Sequence, residues 1–487
     1  MEVSDNLKRF LKVAKNTTWL VTAKIASRVL TALFIILLAN HLLPESFGVY
    51  NFAFSMAYLL TVIADWGFDE YTVREVSRDL EKGPEILGNI ISLRLILSAF
   101  TLFAMFIMFK LFLSHINTDL SFKVLFIIGF MLVFEKISGS FTAIFQANER
   151  MELQAVAILI WRSVFLALGI LAIYLDYPLY KILLLLFIPY IVNLMISCFF
   201  YFRYLNGSIS IPQPSSWLSL MKTTSPFTLF IFVSMFYGHV LVLLLSVLKG
   251  DFFTGVYGAS WKIIVFFGVV PYSFGRALYP VFSKLYATER KSLERFYFHS
   301  LRYLLILSLP LAIGLYVIGG DVVSLIYRNE YIATVEVFKI MIWIIPFLFM
   351  NGSLKMVIWS SDRTVESSKN LIIASIALVA MGVFLIPQYG AAGAAMSAVV
   401  AEIIHFLLNY RVVTLHLKPV PVSLLWKPYI SSVVMAISLY LTKIYLDFNV
   451  LLFLPLAVLL YFLILLLIQG MNKKDIRFIK EMISFKL

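Results

Sequence analysis

Long apolar runs constrain this chain more than any other feature of its sequence. An α-helix needs about 20 mostly apolar residues to cross a bilayer. Fourteen segments qualify as candidates: 17–40, 48–67, 87–113, 120–147, 153–174, 180–202, 223–248, 254–282, 301–327, 333–360, 369–386, 391–410, 428–442 and 450–470. Charged residues make up only 14% of the 487 residues, whereas a soluble domain carries about 25%. The sequence therefore predicts an all-α polytopic membrane protein with fourteen transmembrane helices.

The distribution of Lys and Arg among the loops predicts the orientation. Cytoplasmic loops collect Lys and Arg, and an even number of spans places both termini on one side. With the N-terminus inside, the inner segments carry 23 Lys and Arg residues and the outer loops carry 3. We therefore predict a multi-pass protein of the cell (inner or plasma) membrane with both termini in the cytosol.

This orientation also predicts the domain organisation. Two six-helix groups are joined by a cytosolic linker, and the two last helices and a basic amphipathic tail follow. The predicted segments are 1–16 (basic, cytosolic), 17–204 (helices 1–6), 205–222 (linker), 223–414 (helices 7–12), 428–470 (helices 13–14) and 471–487 (tail). A basic amphipathic tail is typical of binding to an anionic inner leaflet, so membrane lipids are predicted partners.

An internal repeat relates the two six-helix groups. Gly48-Val49-Tyr50 matches Gly255-Val256-Tyr257, "SLRLILS" from Ser92 resembles "SLRYLLILS" from Ser300, and "GSFTAIFQANER" from Gly139 resembles "GSLKMVIWSSDR" from Gly352. The three matches are collinear and six spans separate the copies. Parallel repeats of this kind are typical of transporters in which two lobes rock around a central substrate path. The sequence predicts two pseudo-symmetric six-helix lobes plus two C-terminal helices.

Several functional classes are excluded by absent motifs. The sequence contains no CxxC, no HExxH and no GxxxxGK[ST], so it offers neither metal-ligand spacing nor a nucleotide-binding loop. We predict no catalytic residues, no metal and no cofactor. The net charge of +13 belongs to the inner face of the membrane, so no nucleic-acid partner is predicted.

Several stretches of this sequence also resemble a known family. They are "LANHLLPESFGVYNFAFSMAYLLTVIADWGFDEYTVREVSRD" with its Pro44-Glu45 turn, "QANERME" from Gln146 and "YGAAGAAMS" from Tyr389. Within the first stretch, the family pattern comprises "GxY", an Asp/Gly pair near the helix end and "RE" in the following loop. These residues are Gly48, Tyr50, Asp65, Gly67, Arg74 and Glu75. The chain resembles the Wzx-type polysaccharide and O-antigen repeat-unit flippases.

That family belongs to the multidrug/oligosaccharidyl-lipid/polysaccharide (MOP) superfamily, which includes lipid II flippases and multidrug and toxin extrusion (MATE) transporters. The resemblance implies a MATE-like fold and a flippase that moves a polyprenyl-diphosphate-linked oligosaccharide from the inner to the outer leaflet. It also implies a polysaccharide polymerase and other assembly proteins as partners. Lipid II flippases have arginines in the first helix that face a cationic cavity, and Lys24 and Arg28 lie at comparable depth here.

Cations inside the predicted spans are the candidate substrate-binding groups. Lys24 and Arg28 lie about 12 and 18 Å beyond the start of the first span, and four-residue spacing places them on one helix face. Lys262 lies in the middle of the eighth span. Such charges are costly in hydrocarbon and usually face the bundle interior, where a diphosphate is a suitable partner for Arg and Lys. The full set of candidates is Lys24, Arg28, Lys262, Arg94, Arg162 and Lys355.

Three intramembrane carboxylates are candidates for ion coupling or gating. They are Asp65, Glu135 and Glu402. A helix-cap or salt-bridge role suits Asp65 as well as coupling does, Glu135 is next to Lys136, and a packing or pairing role with His405 is favoured for Glu402. The coupling ion, H⁺ or Na⁺, is left open.

Three other functions compete with the flippase hypothesis. An ion-coupled multidrug exporter shares the fold, but exporters of cations are disfavoured by a lumen with surplus Lys and Arg. A membrane glycan polymerase or ligase requires substantial outer loops with catalytic side chains, and the longest outer loop here has about seven residues. A scaffolding role leaves the mid-membrane cations unexplained.

The fourteen-span topology is tested by cysteine labelling from the two sides of the membrane. Ser114→Cys should react with an impermeant maleimide from outside and Ser292→Cys only from inside. Labelling of both positions from the same side would contradict the predicted topology.

Overall fold

Helices make up most of the residues that the structure describes. The computed structural model describes residues 2–112, 118–421, 425–445 and 450–471, and within these ranges it contains helices and turns but no β-strand. This confirms the all-α prediction. Ten helical stretches of the described residues are long and apolar enough to cross a membrane, so the count of fourteen stays a prediction. Ser114 and most of the predicted tail 471–487 lie outside the described residues.

The chain divides by its contacts into two compact units, Met1–Gly258 (unit 1) and Ala259–Leu487 (unit 2). The helices of unit 1 are α1 (Glu2–His41), α2 (Pro44–Leu60), α3 (Val62–Asp65), α4 (Phe68–Arg78), α5 (Gly83–Phe112), α6 (Thr118–Ala147), α7 (Met151–Tyr174), α8 (Leu179–Tyr204) and α9 (Pro214–Lys249). A short 3₁₀ helix, Leu80–Lys82, precedes α5. Helix α10 (Asp251–Phe267) begins in unit 1 and continues into unit 2.

Unit 2 contains the remaining helices. They are α11 (Val269–Thr288), α12 (Arg290–Ile326), α13 (Thr334–Met341), α14 (Ile344–Ser360), α15 (Thr364–Thr414), α16 (Trp426–Tyr445) and α17 (Val450–Leu467). A 3₁₀ helix, Asn329–Tyr331, connects α12 to α13. Helices α16 and α17 pack on α12 through a buried apolar cluster that includes Met435, Leu465 and Tyr303.

The predicted turn residues do mark helix boundaries. Pro44 is the first residue of α2, where its missing N–H costs nothing. Gly250 separates α9 from α10 at a φ of 86°, a left-handed value that glycine adopts without a Cβ clash. Gly390 interrupts α15 with a φ of 56° and a ψ of −129°, which separates the predicted segments 369–386 and 391–410.

Three predicted spans are broken where the sequence analysis expected one continuous helix. The segment 48–67 consists of α2 and α3 and ends at Trp66 and Gly67, both of which have left-handed backbone angles. The segment 254–282 is divided at Gly268. The segment 333–360 is divided between α13 and α14. Apolar periodicity does not detect such breaks, because the residues on both sides remain apolar.

Helix α9 packs within unit 1, although the repeat assigns its sequence to the second six-helix group. The indole Nε1 of Trp66 donates to the carbonyl oxygen of Met221 at 3.1 Å. The side-chain oxygen of Asn89 accepts from the backbone N–H of Gln213 at 2.7 Å and from the indole of Trp217 at 3.0 Å. The two units are defined by contacts, whereas the predicted lobes are defined by the sequence repeat. The lobe boundaries at 204 and 223 therefore stay a prediction.

Two repeat-related glycines allow α2 and the start of α10 to approach each other within unit 1. A Cβ on Gly48 would overlap the carbonyl oxygen of Asp251, and a Cβ on Gly255 would overlap the carbonyl oxygen of Pro44. Both obstacles are backbone atoms, which cannot rotate out of the way. Small residues at such crossings are typical of packed membrane helices, and this one explains why both copies of the repeat carry glycine.

We predict that Gly48→Ala and Gly255→Ala each destabilise the protein by about 1–3 kcal/mol, the usual cost of overpacking. Gly238→Ala on α9 is the matched control, because nothing lies within 4 Å of its added Cβ. That control should keep or slightly raise the melting temperature, since alanine is the better helix former. Thermal unfolding of the purified variants in one detergent measures the difference. Equal melting temperatures for all three variants would contradict the close approach.

Candidate functional site

A break in the second predicted span positions two carboxylates inside unit 1. Asp65 is the last residue of α3 and Asp69 lies in the first turn of α4. Between them Trp66 and Gly67 have φ values of 44° and 68°, so the chain changes direction. Contact of Gly67 with α9 leaves no room for a side chain, because an added Cβ would be 2.7 Å from the Cβ of Phe227. The break brings both carboxylates to Arg94.

Arg94 on α5 is completely buried and hydrogen-bonded at both terminal nitrogens. Its Nη2 donates to the carboxylates of Asp65 at 3.2 Å and Asp69 at 2.9 Å. Its Nη1 donates to the carbonyl oxygen of Lys136 and the hydroxyl of Ser140, each at 2.6 Å. A buried guanidinium is tolerated when it is paired and hydrogen-bonded in this way. Arg94 therefore links α3, α4, α5 and α6.

The ammonium group of Lys136 completes this network. Its Nζ lies 2.6 Å from Oδ2 of Asp65, the oxygen that Arg94 does not contact. Both oxygens of Asp65 therefore pair with cations, and two cations face two carboxylates. Glu135, next to Lys136, is half-buried and within electrostatic range of Tyr58 and Lys136. The geometry gives Arg94 and Asp65 a structural role, and their predicted roles in substrate binding and ion coupling stay predictions.

A second group of cations lies where α1 packs on α7. The Nε of Arg162 donates to the hydroxyl of buried Ser27 at 3.0 Å. Ser27 directly precedes Arg28 and follows Lys24 by three residues. Lys24 is half-buried and Arg28 is exposed. Three of the predicted substrate-binding cations are therefore carried by one pair of packed helices.

Arg162 is surrounded mainly by aromatic rings. Its guanidinium carbon lies 3.7 Å from the centroid of the Trp161 ring and 5.7 Å from that of Phe165, distances at which a cation is attracted by the ring face. Buried Tyr50 and Tyr190 are within electrostatic range of the same group. Among the described residues Arg162 forms no ion pair with a carboxylate. In the part of the chain that the structure describes, the direct contacts of this charge are with aromatic rings and one hydroxyl.

Lys262 belongs to unit 2 and is half-buried on α10. Lys24 and Arg28 belong to unit 1. The prediction that all three cations bind the diphosphate therefore stays a prediction.

A chain of buried amides leads to Glu402 in unit 2. Asn370 donates to Asn409 at 3.0 Å, Asn409 donates to Asn351 at 3.0 Å, and Asn351 donates to Oε1 of Glu402 at 2.7 Å. Nδ1 of His405 lies 3.9 Å from the second carboxylate oxygen. The structure thus brings together helices α14 and α15 around one carboxylate.

The ammonium group of Lys355, on α14, is within electrostatic range of Glu402. The predicted substrate cation and the predicted coupling carboxylate of unit 2 therefore share one cluster. In the described parts of the chain, no three His, Cys, Asp or Glu side chains are placed to hold a metal ion. The expectation of no cofactor stays a prediction.

Sequence reasoning missed several members of these clusters. Asp69 and Lys136 complete the Arg94 network, Ser27 contacts Arg162, and Asn351 and Asn409 surround Glu402. A polar side chain inside an apolar segment is the available signal for the last three, since buried polar groups need partners. No local signal connects Asp69 to Arg94, because the helix break that joins them is not visible in the pattern.

The repeat-related arginine of unit 2 has different surroundings. Arg302 on α12 is buried and its Nη2 donates to the carbonyl oxygen of Gly470, just beyond the end of α17. A cation at the carboxyl end of a helix offsets the partial negative charge of its last carbonyls. The two repeat-related arginines thus have different partners. Arg94 stabilises the helix break in unit 1, and Arg302 contacts the end of α17 in unit 2.

Comparison with known protein families gives two matches. The model of a family described as polysaccharide biosynthesis protein matches residues 13–286, and the MatE model matches residues 226–386. The first match covers more than half of the chain. No curated protein sequence matches the chain.

Comparison with solved structures identifies the fold. The lipid II flippase MurJ in an inward closed conformation is 16% identical, with 91% of this chain and 97% of that chain covered and a TM-score of 0.78. An inward-facing multidrug resistance MATE family transporter of the MOP superfamily is 14% identical, with 80% and 95% covered and a TM-score of 0.67. A MOP superfamily transporter from Pyrococcus furiosus, whose binding pocket is reported to have reversed polarity, is 13% identical, with 83% and 96% covered and a TM-score of 0.57. These likenesses confirm the predicted MATE-like fold.

We predict that Arg94→Gln destabilises the protein by about 3–5 kcal/mol, because two carboxylates lose a buried partner. Arg78→Gln is the matched control: Arg78 is 70% exposed and lies 3.5 Å from Glu75, and exposed pairs contribute at most about 1 kcal/mol. Both variants are compared by membrane abundance and by thermal unfolding in detergent. A melting temperature of Arg94→Gln equal to that of Arg78→Gln would contradict the structural role of the network.

Proposed function

The chain belongs to the polysaccharide biosynthesis protein family of the MOP superfamily, and on this basis we propose that it is a flippase for lipid-linked oligosaccharide. The proposed substrate is a polyprenyl-diphosphate-linked repeat unit, which moves from the inner to the outer leaflet for the assembly of a cell-surface polysaccharide. The fold of MurJ, whose name describes it as a flippase for lipid II, supports this class of substrate. The match of a MatE model over residues 226–386 supports transport more generally.

The observation that carries the proposal is the group of three cations on the α1–α7 pair. Lys24, Arg28 and Arg162 lie in apolar helices, and the guanidinium of Arg162 is held by Ser27 without a carboxylate partner among the described residues. A permanent structural role would be served better by an ion pair, as at Arg94. A diphosphate that links a polyprenyl chain to a sugar carries two negative charges, and Arg and Lys bind such an anion with charge-assisted hydrogen bonds. We propose that this group binds the diphosphate.

Alternating access then follows from a difference in affinity. An anion gains its full set of contacts only when cations contributed by separate helices surround it, and a ligand shifts a conformational equilibrium only by such a difference. Lys262 is the proposed additional contact. While the site is empty, water around the cations lowers the cost of their burial.

Glu402 is the proposed coupling carboxylate for H⁺ or Na⁺. Asp65 is the less suitable candidate because Arg94 and Lys136 occupy both of its oxygens. Glu402 instead accepts from the neutral amide of Asn351 and lies beside His405. Binding or release of a single cation at this cluster changes its net charge, which is the requirement for coupling a gradient to a conformational change.

An exporter of small molecules is the second candidate, because the MATE family transporters share the fold. Exporters of this kind usually carry cations, and the positive charge of the α1–α7 group would repel a cationic substrate. The short predicted outer loops leave no room for the active site of a glycan polymerase or ligase. Such a polymerase stays a predicted partner.

The proposal is tested by complementation of a flippase-deficient strain that makes the matching glycan. The triple variant Lys24→Ala, Arg28→Ala, Lys262→Ala should lose at least about tenfold in surface glycan at normal membrane abundance, because charge-assisted hydrogen bonds contribute about 1.5–3 kcal/mol each. Lys24→Arg should retain most of the activity. The matched control removes three cations predicted to lie near the membrane surface, Lys110→Ala, Lys181→Ala and Lys369→Ala, and should complement fully.

Two results would overturn the proposal. Full complementation by the triple variant would remove Lys24, Arg28 and Lys262 from substrate binding, and with them two of the three cations of the α1–α7 group. Efflux of a cationic dye that depends on expression, together with no effect on the glycan, would favour the exporter.

A further inference from the structure

A cavity in unit 2 is lined by none of the charged side chains that form the clusters described above. Its volume is about 300 Å³, and it is bounded by the ends of α11, α12, α14 and α15. The lining residues are Tyr286, Arg290, Leu293, Val357, Ile358, Ser361, Arg363, Val412, Val413, His416 and Leu417. None of the residues proposed to bind the substrate or to couple transport lines this cavity.

The polar part of the lining is cationic. Arg290 and Arg363 carry permanent charges, His416 carries a titratable ring, and Tyr286 and Ser361 add hydroxyls. None of the eleven lining residues is acidic. Arg290 donates to the carbonyl oxygen of His416, which holds its guanidinium at the rim. Arg363 has only a loose pairing with Glu366, at 3.4 Å, and both side chains remain partly exposed. An anion therefore meets two guanidinium groups there.

Two helix ends add to the positive potential. Helix α12 begins at Arg290 and α15 begins at Thr364, and neither is capped by a side chain, since Glu289 and Arg363 make no such hydrogen bond. The first N–H groups of a helix carry partial positive charge and bind anions well. The carboxylates of Glu289, the N-cap of α12, and Glu366, in the first turn of α15, offset part of this potential.

The rest of the lining is apolar and firmly packed. Leu293, Val357, Ile358, Val413 and Leu417 belong to one buried cluster of unit 2. A free inorganic anion has no apolar part that would cover a hydrocarbon floor. This one combines a cationic rim with a hydrocarbon floor, which suits an anion attached to an apolar chain.

The predicted topology places this cavity at the inner face of the membrane. The segments 283–300, 361–368 and 411–427 are cytosolic loops by the distribution of Lys and Arg, with four, one and three such residues. Lipid phosphates of the inner leaflet lie at this depth. Basic pockets between membrane helices on the cytosolic side are suited to anionic lipid headgroups.

We propose that this cavity binds the phosphate headgroup of a lipid of the inner leaflet, with Arg290 and Arg363 on the phosphate and the first carbons of the lipid on the apolar floor. Either an anionic phospholipid or a polyprenyl phosphate supplies this chemistry. The site is independent of the proposed transport function, and direct binding to the purified protein tests it without any transport assay.

The experiment is native mass spectrometry of the full-length protein in detergent, titrated separately with phosphatidylglycerol, a polyprenyl phosphate, phosphatidylcholine and inorganic phosphate. The variant Arg290→Gln, Arg363→Gln should bind the anionic lipids about tenfold or more weakly, because each guanidinium loses a charge-assisted hydrogen bond to the phosphate, which contributes about one tenfold step or more. The matched control Arg411→Gln, Lys418→Gln removes the same charge from the same face outside the cavity, and its affinity should stay within about threefold of the wild type.

The titrations also distinguish the two lipids that could supply the phosphate headgroup. Tighter binding of phosphatidylglycerol assigns the cavity to a membrane phospholipid, and tighter binding of the polyprenyl phosphate assigns it to the carrier lipid. If the double Gln variant fails to fold, Ser361→Asp replaces it, since a carboxylate in the cavity should weaken both lipids by about tenfold. Equal loss of binding in the cavity and control variants, or binding of inorganic phosphate as tight as that of the lipids, would overturn the proposal.

Discussion

Unit 1 depends on a single guanidinium group that has no exposed surface. Arg94 holds Asp65 and Asp69, which lie on opposite sides of a helix break, and Lys136 holds the remaining oxygen of Asp65. In hydrocarbon no water is available to compensate a charge or a backbone group left open by such a break. The balanced network therefore allows the second predicted span to change direction inside the protein. Helices α3, α4, α5 and α6 meet at this point.

The second copy of the repeat uses the equivalent arginine differently. Arg302 contacts the carbonyl oxygen of Gly470 beyond the last described helix. Two further contacts join the last two helices to α12 within unit 2. The Tyr461 hydroxyl of α17 donates to the carbonyl oxygen of Ile306 at 2.8 Å, and Nζ of Lys443 on α16 lies 2.6 Å from the carboxylate of Asp321. A repeat preserves the position of a residue, but its partners follow from the helices that surround each copy. The two C-terminal helices supply such a partner in unit 2 alone.

The intramembrane charges sort by partner into groups with different proposed roles. Arg94 and Lys136 face carboxylates and serve the structure. Arg162 faces a hydroxyl and aromatic rings, beside the helix that carries Lys24 and Arg28, and this charge is available to an anionic substrate. Arg290 and Arg363 lie at a rim above an apolar floor, where a lipid phosphate fits. One chemical property, the preference of guanidinium for oxyanions, thus underlies both the Arg94 network and the two proposed binding sites.

The sequence by itself determined the helical membrane fold, the turns at Pro44 and Gly250, and which charged residues lie inside apolar segments. Span length, apolar composition and turn chemistry are local properties, so they can be identified along the chain. The sequence also identified Arg94, Arg162, Lys355 and Glu402 as charges in need of partners. Only the tertiary structure decided which partner each one has. Arg94 meets Asp69 because two left-handed residues redirect the chain, and Glu402 meets Asn351 because α14 packs on α15. Such pairings join residues distant in sequence, and their energy depends on burial and geometry that no local pattern contains.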